Sequence, residues 1–548
     1  MSFQKIDLIK IYKQKTALVI DDYPDMRGSI RRMLVNFGVD RVDTASNGAE
    51  AIDKCQDYPF DIILADYNLG DAKSGQQVLE ELRYKHILKS TSVYMMITAE
   101  TTKSMVFSAL EYQPDDYVTK PFTQTVLQKR LDRLILEKEA LYEINTAIDA
   151  LNFDLAIELC QQRINMHDKY EQRCYRLMAT CYFNKHKYQQ SKDVYQKILA
   201  ERPVEWASIG LGRCMMALNE LDNAEEVFQK LVDDGCMCME IYDHLADIKT
   251  RKGDSESAQD LLERAIEISP NAIMRQKRLA ELCEDNHDWE RAQKSHAKII
   301  RLGHNSVYDS PENHFNLARS INKQIENNQD SAKQKIKEVQ EILKRAKRRY
   351  RKHENIELQS DIIQANTFAC AGQTDLANEE VGSIQQRLST TTNRSAELML
   401  DMAQTYKSIG DHEKAQELLV DLAARYGDNP DIAEAIDRIS DEPLSKAGKQ
   451  KAIELNQQGK ELFANKDFVK AIQLFGQALK HYPNNIGLNL NMMLALVRQM
   501  SVQGPNPQML ERCQSAREKL EHLDESSPYF ERFRVMRDHM EKMRGTVQ

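Results

Sequence analysis

Thr16-Ala17-Leu18-Val19-Ile20-Asp21-Asp22 is an apolar, β-branched run that ends on two carboxylates. With no polar alternation, it reads as a strand buried on both faces, the pattern of parallel sheets. Pro24-Asp25 opens an amphipathic helix with Ile30, Met33, Leu34 and Phe37 on one stripe, and Gly38 stops it. The same unit then recurs. Residues 41–45, 61–65, 92–97 and 116–119 read as further strands. Residues 48–56, 76–84, 102–112 and a stretch from Thr123 read as helices. Alternation of this kind predicts an α/β doubly wound domain over residues 14–137, built on a five-stranded parallel sheet. Parallel strands gather their C-terminal ends at one edge, and here those ends carry Asp21, Asp22, Asp66, Thr98 and Lys120.

Three carboxylates, a hydroxyl and an ammonium at one edge suit a metal-assisted phosphoryl acceptor. An aspartate attacks phosphorus poorly because both groups are anionic. A divalent cation held by neighbouring carboxylates screens that repulsion. Mg²⁺ is the natural ion, a hard cation that takes a few carboxylates together with phosphate oxygens.

Val19-Ile20-Asp21-Asp22, Ile63-Leu64-Ala65-Asp66-Tyr67-Asn68, Ile97-Thr98-Ala99 and Tyr117-Val118-Thr119-Lys120-Pro121-Phe122 together resemble the receiver domain of two-component response regulators, the CheY-like fold. The resemblance implies that Asp66 accepts a phosphoryl group from a histidine kinase or phosphotransfer protein. It also implies that Asp22 binds Mg²⁺ directly, that Asp21 supports it through water and that the Asn68 carbonyl is a further ligand. Thr98 and Tyr117 would be the switch pair, and Lys120 would pair with the phosphate across a cis Lys120–Pro121 bond. One departure stands out. Leu69-Gly70-Asp71-Ala72-Lys73-Ser74-Gly75 is one residue longer than the family's loop and lacks its proline.

At 548 residues the chain is too long for one core. A net charge of -9 disfavours a nucleic-acid binder overall. The ten cysteines show no zinc or CxxC spacing, so reduced thiols and a cytoplasmic location are expected. The N-terminus does not read as a signal peptide, and no apolar run is long enough to span a membrane.

Beyond Leu136 helical periodicity takes over and a repeat appears. Small residues recur at Ala179, Gly212, Ala246 and Ala280, in steps of 33, 34 and 34. A second set runs in register at Ser191, Ala224, Ala258 and Ala292, followed by Tyr195, Phe228 and Leu262, with His296 breaking the series. Small residues at two crossing points predict stacked antiparallel helix pairs. The pattern resembles the tetratricopeptide repeat (TPR) family. Its clearest copy is Gly459-Lys460-Glu461-Leu462-Phe463 with Ala471, Ala478 and Pro483. The predicted division is therefore a TPR solenoid over 138–437, a linker over 438–449, and a last TPR unit with capping helices over 450–548.

The resemblance implies a protein-binding concave face, on which Arg173, Arg176, Arg213, Asp243, Asp247, Lys277 and Glu281 are placed. Residues 326–355 form a long polar helix pattern with a basic cluster from Lys344 to Lys352. That cluster is a solvated face or a contact for an acidic partner or nucleic acid. No motif of an output enzyme is visible. The leading expectation is a response regulator with a protein-binding output. The alternatives are a constitutive scaffold that uses the receiver only for docking, and a regulator contacting nucleic acid through Lys344–Lys352. Two copies pairing through the face near Ser104–Val118 is a further expectation.

Overall fold

The computed structural model describes residues 8–70, 73–99, 111–391, 394–504, 506–521, 523, 525 and 527–544. They fall into two compact units, Met1–Asn313 and His314–Gln548.

The first unit opens with a parallel sheet in the order β2-β1-β3-β4-β5, with β1 Thr16–Ile20, β2 Arg41–Ala45, β3 Ile62–Asp66, β4 Val93–Thr98 and β5 Asp116–Thr119. Every adjacent pair is parallel. β1, β3 and β4 are buried on both sides because successive side chains enter different cores. Ala17, Val19, Ile62, Leu64, Val93 and Met95 pack with Ile30, Leu34, Leu127 and Leu131 from helices Pro24–Phe37 and Gln124–Ala140. Leu18, Ile20, Ile63, Ala65, Tyr94 and Met96 pack with Ala51, Ile52, Val78 and Leu82 from helices Gly48–Asp57 and Gly75–Tyr84. The expected helix at 102–112 lies outside the described residues up to position 110.

The rest of this unit is a run of helices packed pairwise, from Tyr142–Asp149 to Trp289–Gly303. The small residues of the repeat sit where helices cross. Ala179, Ser191, Ala224, Ala246, Ala258, Ala280 and Ala292 are all fully buried. A Cβ on Gly212 would lie 2.5 Å from the Phe228 ring. His296, which interrupts the aromatic series, is buried with Nε2 2.7 Å from Glu284. Turns within pairs use one device: a residue with positive φ, then an Asp capping the next helix, as in Gly253-Asp254 and His287-Asp288.

The second unit is likewise helical and uses the same turn at Gly410-Asp411 and Lys466-Asp467. The expected linker at 438–449 is not where the chain divides. Helix Pro430–Ile439 is followed by helix Lys446–Ala464. The turn between them is tied down, because buried Asp437 accepts hydrogen bonds from the Leu444 and Ser445 amides and the Ser445 hydroxyl, at 2.7, 3.0 and 2.7 Å. Small and charged residues here build a closed turn. The division falls at Asn313/His314 instead. No helix among the described residues is long and apolar enough to cross a membrane.

Candidate phosphoacceptor site

β1 and β3 are adjacent, so their C-terminal ends bring Asp21, Asp22 and Asp66 together, and Lys120 follows the edge strand β5, which lies beyond β4. Lys120 Nζ donates to Asp66 Oδ2 at 2.7 Å and to Asp21 Oδ2 at 2.9 Å. The Lys120–Pro121 peptide is cis. Asp21 and Thr98 are 1% exposed and Asp66 is 7% exposed, so the charges meet in a largely dry edge.

Burial pushes the Asp66 carboxyl above its ordinary range, against the pull of Lys120. For Lys120 burial works the other way, yet hydrogen bonds to Asp66 and Asp21 leave the ammonium raised. Lys120 thus bridges Asp21 and Asp66, with Asp22 beside them. Ligand oxygens of Asp21, Asp22 and Asp66 lie within 4.8 Å of one another. Asp22 Oδ1 is buried with no hydrogen-bond partner. An orphaned carboxylate oxygen in a group of hard donors fits a small divalent cation.

Tyr117 is half-buried on β5, and Thr98 ends β4 beside it. In the long acceptor loop, residues 71–72 lie outside the described set. Lys73 and Ser74 do not: the Ser74 hydroxyl caps helix Gly75–Tyr84, with Gln77 reciprocating.

The residues placed on the solenoid's concave face are already engaged within the first unit. Arg173 pairs with Glu137 at 3.2 Å. Arg176 lies over the Trp206 ring and Arg213 over Phe183. Asp243 receives Arg275 in a two-pronged pair at 2.8 and 2.7 Å, and Asp247 pairs with Arg278. Lys277 stands 4.8 Å over Tyr308, and Glu281 acts on it electrostatically. Sequence reasoning missed Arg275, although it is 5% exposed. In the basic cluster Lys347 is paired with Asp361 and Glu357, whereas Arg345, Arg348 and Lys352 are exposed. The Ser104–Val118 face lies outside the described residues through position 110.

Residues 17–132 match the family model described as response regulator receiver domain, and residues 240–272 match one for the tetratricopeptide repeat. Chemotaxis protein CheY-3 of Vibrio cholerae is 29% identical over 122 residues, covering 22% of this chain and 92% of that protein. Chemotaxis protein CheY of Pseudomonas aeruginosa is 29% identical over 117 residues, 21% of this chain and 93% of that protein. Among solved structures, chemotaxis protein CheY4 of Vibrio cholerae is 28% identical with a TM-score of 0.21, covering 22% of this chain and 98% of its own.

Proposed function

We propose, for a chain whose residues 17–132 are a response regulator receiver domain and whose helical part carries a tetratricopeptide repeat, that it is a phosphorelay regulator with protein binding as its output. Asp66 takes a phosphoryl group from the phosphohistidine of a histidine kinase or phosphotransfer protein. A carboxylate oxygen attacks phosphorus, the bond to the donor's imidazole nitrogen breaks with its electron pair leaving on that nitrogen, and an acyl phosphate results. Lys120, already on Asp66, follows the new negative charge. Asp21, Asp22, Asp66 and the Asn68 carbonyl would hold Mg²⁺, which when bound neutralises charge on the transferring oxygens. Thr98 answers the phosphoryl group and Tyr117 relays the change to the surface.

The observation that carries this reading is the convergence of three carboxylates, two of them held by Lys120 and the third with Asp22 Oδ1 left unsatisfied. The test is incorporation of acid-labile phosphate from acetyl phosphate with Mg²⁺. The parent chain is expected to label and Asp66→Asn to remain blank; equal labelling of the two sinks the assignment. A constitutive scaffold would instead bind its partner equally in both forms. Binding through Lys344–Lys352 would show as salt-dependent nucleic-acid affinity.

A further inference from the structure

Within the first unit, the receiver rests on its own solenoid through the face that starts at the acceptor loop. Lys73 Nζ donates to Glu81 at 2.6 Å and to the Asn305 carbonyl at 2.7 Å. Gln77 Nε2 donates to the His304 carbonyl at 3.1 Å. Arg275, in helix Ile273–Asp285, divides its guanidinium: Nε and Nη2 hold Asp243, and Nη1 holds Glu111 of the receiver at 2.9 Å. Beside it Glu80 accepts from the Tyr112 hydroxyl and is drawn by Lys277. Between the two parts lies a cavity of about 160 Å³ lined by Tyr67, Gln76, Glu80, Tyr112, Asn271 and Ile273.

Around Arg275 the charges are complementary: the receiver offers Glu80, Glu111 and Tyr112 to the solenoid's Arg275 and Lys277, while farther along its Lys73 and Gln77 donate to solenoid backbone carbonyls. The contact is also tied to the acceptor with little slack. Tyr67 follows Asp66 directly and lines the cavity. The Gly75 amide donates to the Tyr67 carbonyl at 3.0 Å, and the Tyr94 hydroxyl to the Gly75 carbonyl at 2.7 Å. A Cβ on Gly75 would lie 2.2 Å from the Asp66 carbonyl oxygen. The strand that ends in the acceptor and the helix that rests on the solenoid are in backbone contact, so a shift at one is passed to the other.

The geometry points to the solenoid surface around Arg275 and Lys277 as a docking site for an acidic, aromatic-bearing protein segment, held by the receiver while Asp66 is unmodified and released to an outside segment of the same chemistry once Asp66 is phosphorylated. This rests on the phosphoacceptor reading above. A phosphoryl group adds charge to Asp66 and draws on the Lys120 contact, one backbone contact away from the helix that rests on the solenoid.

The test uses the full chain. Amide hydrogen exchange in 75–84 and 273–285 is followed in the unmodified, acetyl phosphate-treated and Asp66→Asn forms, with acyl phosphate quantified in parallel. Exchange is expected to rise at least tenfold in both segments on phosphorylation, with no change in Asp66→Asn. Arg275→Glu is expected to open both segments without phosphate, and Arg275→Glu with Glu111→Arg to restore protection. As probe, a fluorescent random copolymer of Glu and Tyr should bind the phosphorylated chain at least fivefold more tightly than Asp66→Asn. Phosphate present with unchanged exchange, or equal copolymer binding, overturns the docking proposal. Absence of phosphate with a normal response to the charge swap overturns the acceptor reading and leaves the surface intact.

Discussion

The acceptor edge of the sheet and the docked face of the solenoid each place one cation between two carboxylates, and they differ in what is left over. Lys120 spans Asp21 and Asp66, and a third carboxylate beside them keeps an oxygen without a partner. Arg275 spans Asp243 and Glu111, and its planar fork answers both. An ion cluster short of positive charge can receive a metal and an anion, so it is a place for chemistry. One whose two carboxylates are both answered by a single guanidinium holds geometry and serves recognition. Lysine and arginine divide accordingly: a mobile point charge where the partner changes, a rigid fork where geometry has to be held.

Four measurements would break or sharpen that contrast. The largest effect is expected at the Arg275 cluster. Arg275→Met leaves Asp243 and Glu111 facing one another without a cation and should cost about 3–5 kcal/mol in denaturant unfolding of the first unit. A loss under about 1 kcal/mol would show that the fork is ornamental.

Next comes Lys120→Met. It should lower the rate of labelling from acetyl phosphate about a hundredfold, while Mg²⁺ still protects the domain against heat. If Mg²⁺ no longer protects, Lys120 belongs to ion binding and not to phosphoryl transfer.

The third is a pH effect. Burial raises Glu80 to about 7. The docked form therefore keeps a proton that an ordinary glutamate loses near pH 4.5. Docking that is fully favoured below that point should weaken as pH rises to about 7 and then level off, by about 3 kcal/mol in all. Glu80→Gln should flatten the profile of exchange protection in 75–84; an unchanged slope would locate the proton elsewhere.

The last of the four lies in the packing shared by the repeats. Gly212→Ala pushes a methyl against the Phe228 ring and should cost about 1–3 kcal/mol, visible in the same unfolding transition. Labelling at Asp66 should be untouched.

What could be read from sequence follows the same division. β1, β3 and β4 are buried on both faces, so they appear as unbroken apolar runs whose first polar residue marks the functional edge. Chemistry that needs three carboxylates and a lysine has few interchangeable residues. The repeat was legible because close helix crossings tolerate only small side chains, as at Gly212 and Ala246.

Arg275 was not legible. Exposed and docked arginines on a solenoid helix look alike until the element seated on them is known. Asp437 taught the same lesson in another form. A stretch of small and charged residues has a linker's composition, but composition does not reveal that one carboxylate closes three hydrogen bonds around it.

That turn decides where the second unit can be shortened. A chain stopped after Ile439 would leave the Asp437 carboxylate without the two amides and the hydroxyl that now receive its charge, in a place where it is 3% exposed. The residues up to Ser445 must travel with the helices before them. Any fragment that keeps helix Pro430–Ile439 has to carry the latch through Ser445 as well as the repeats.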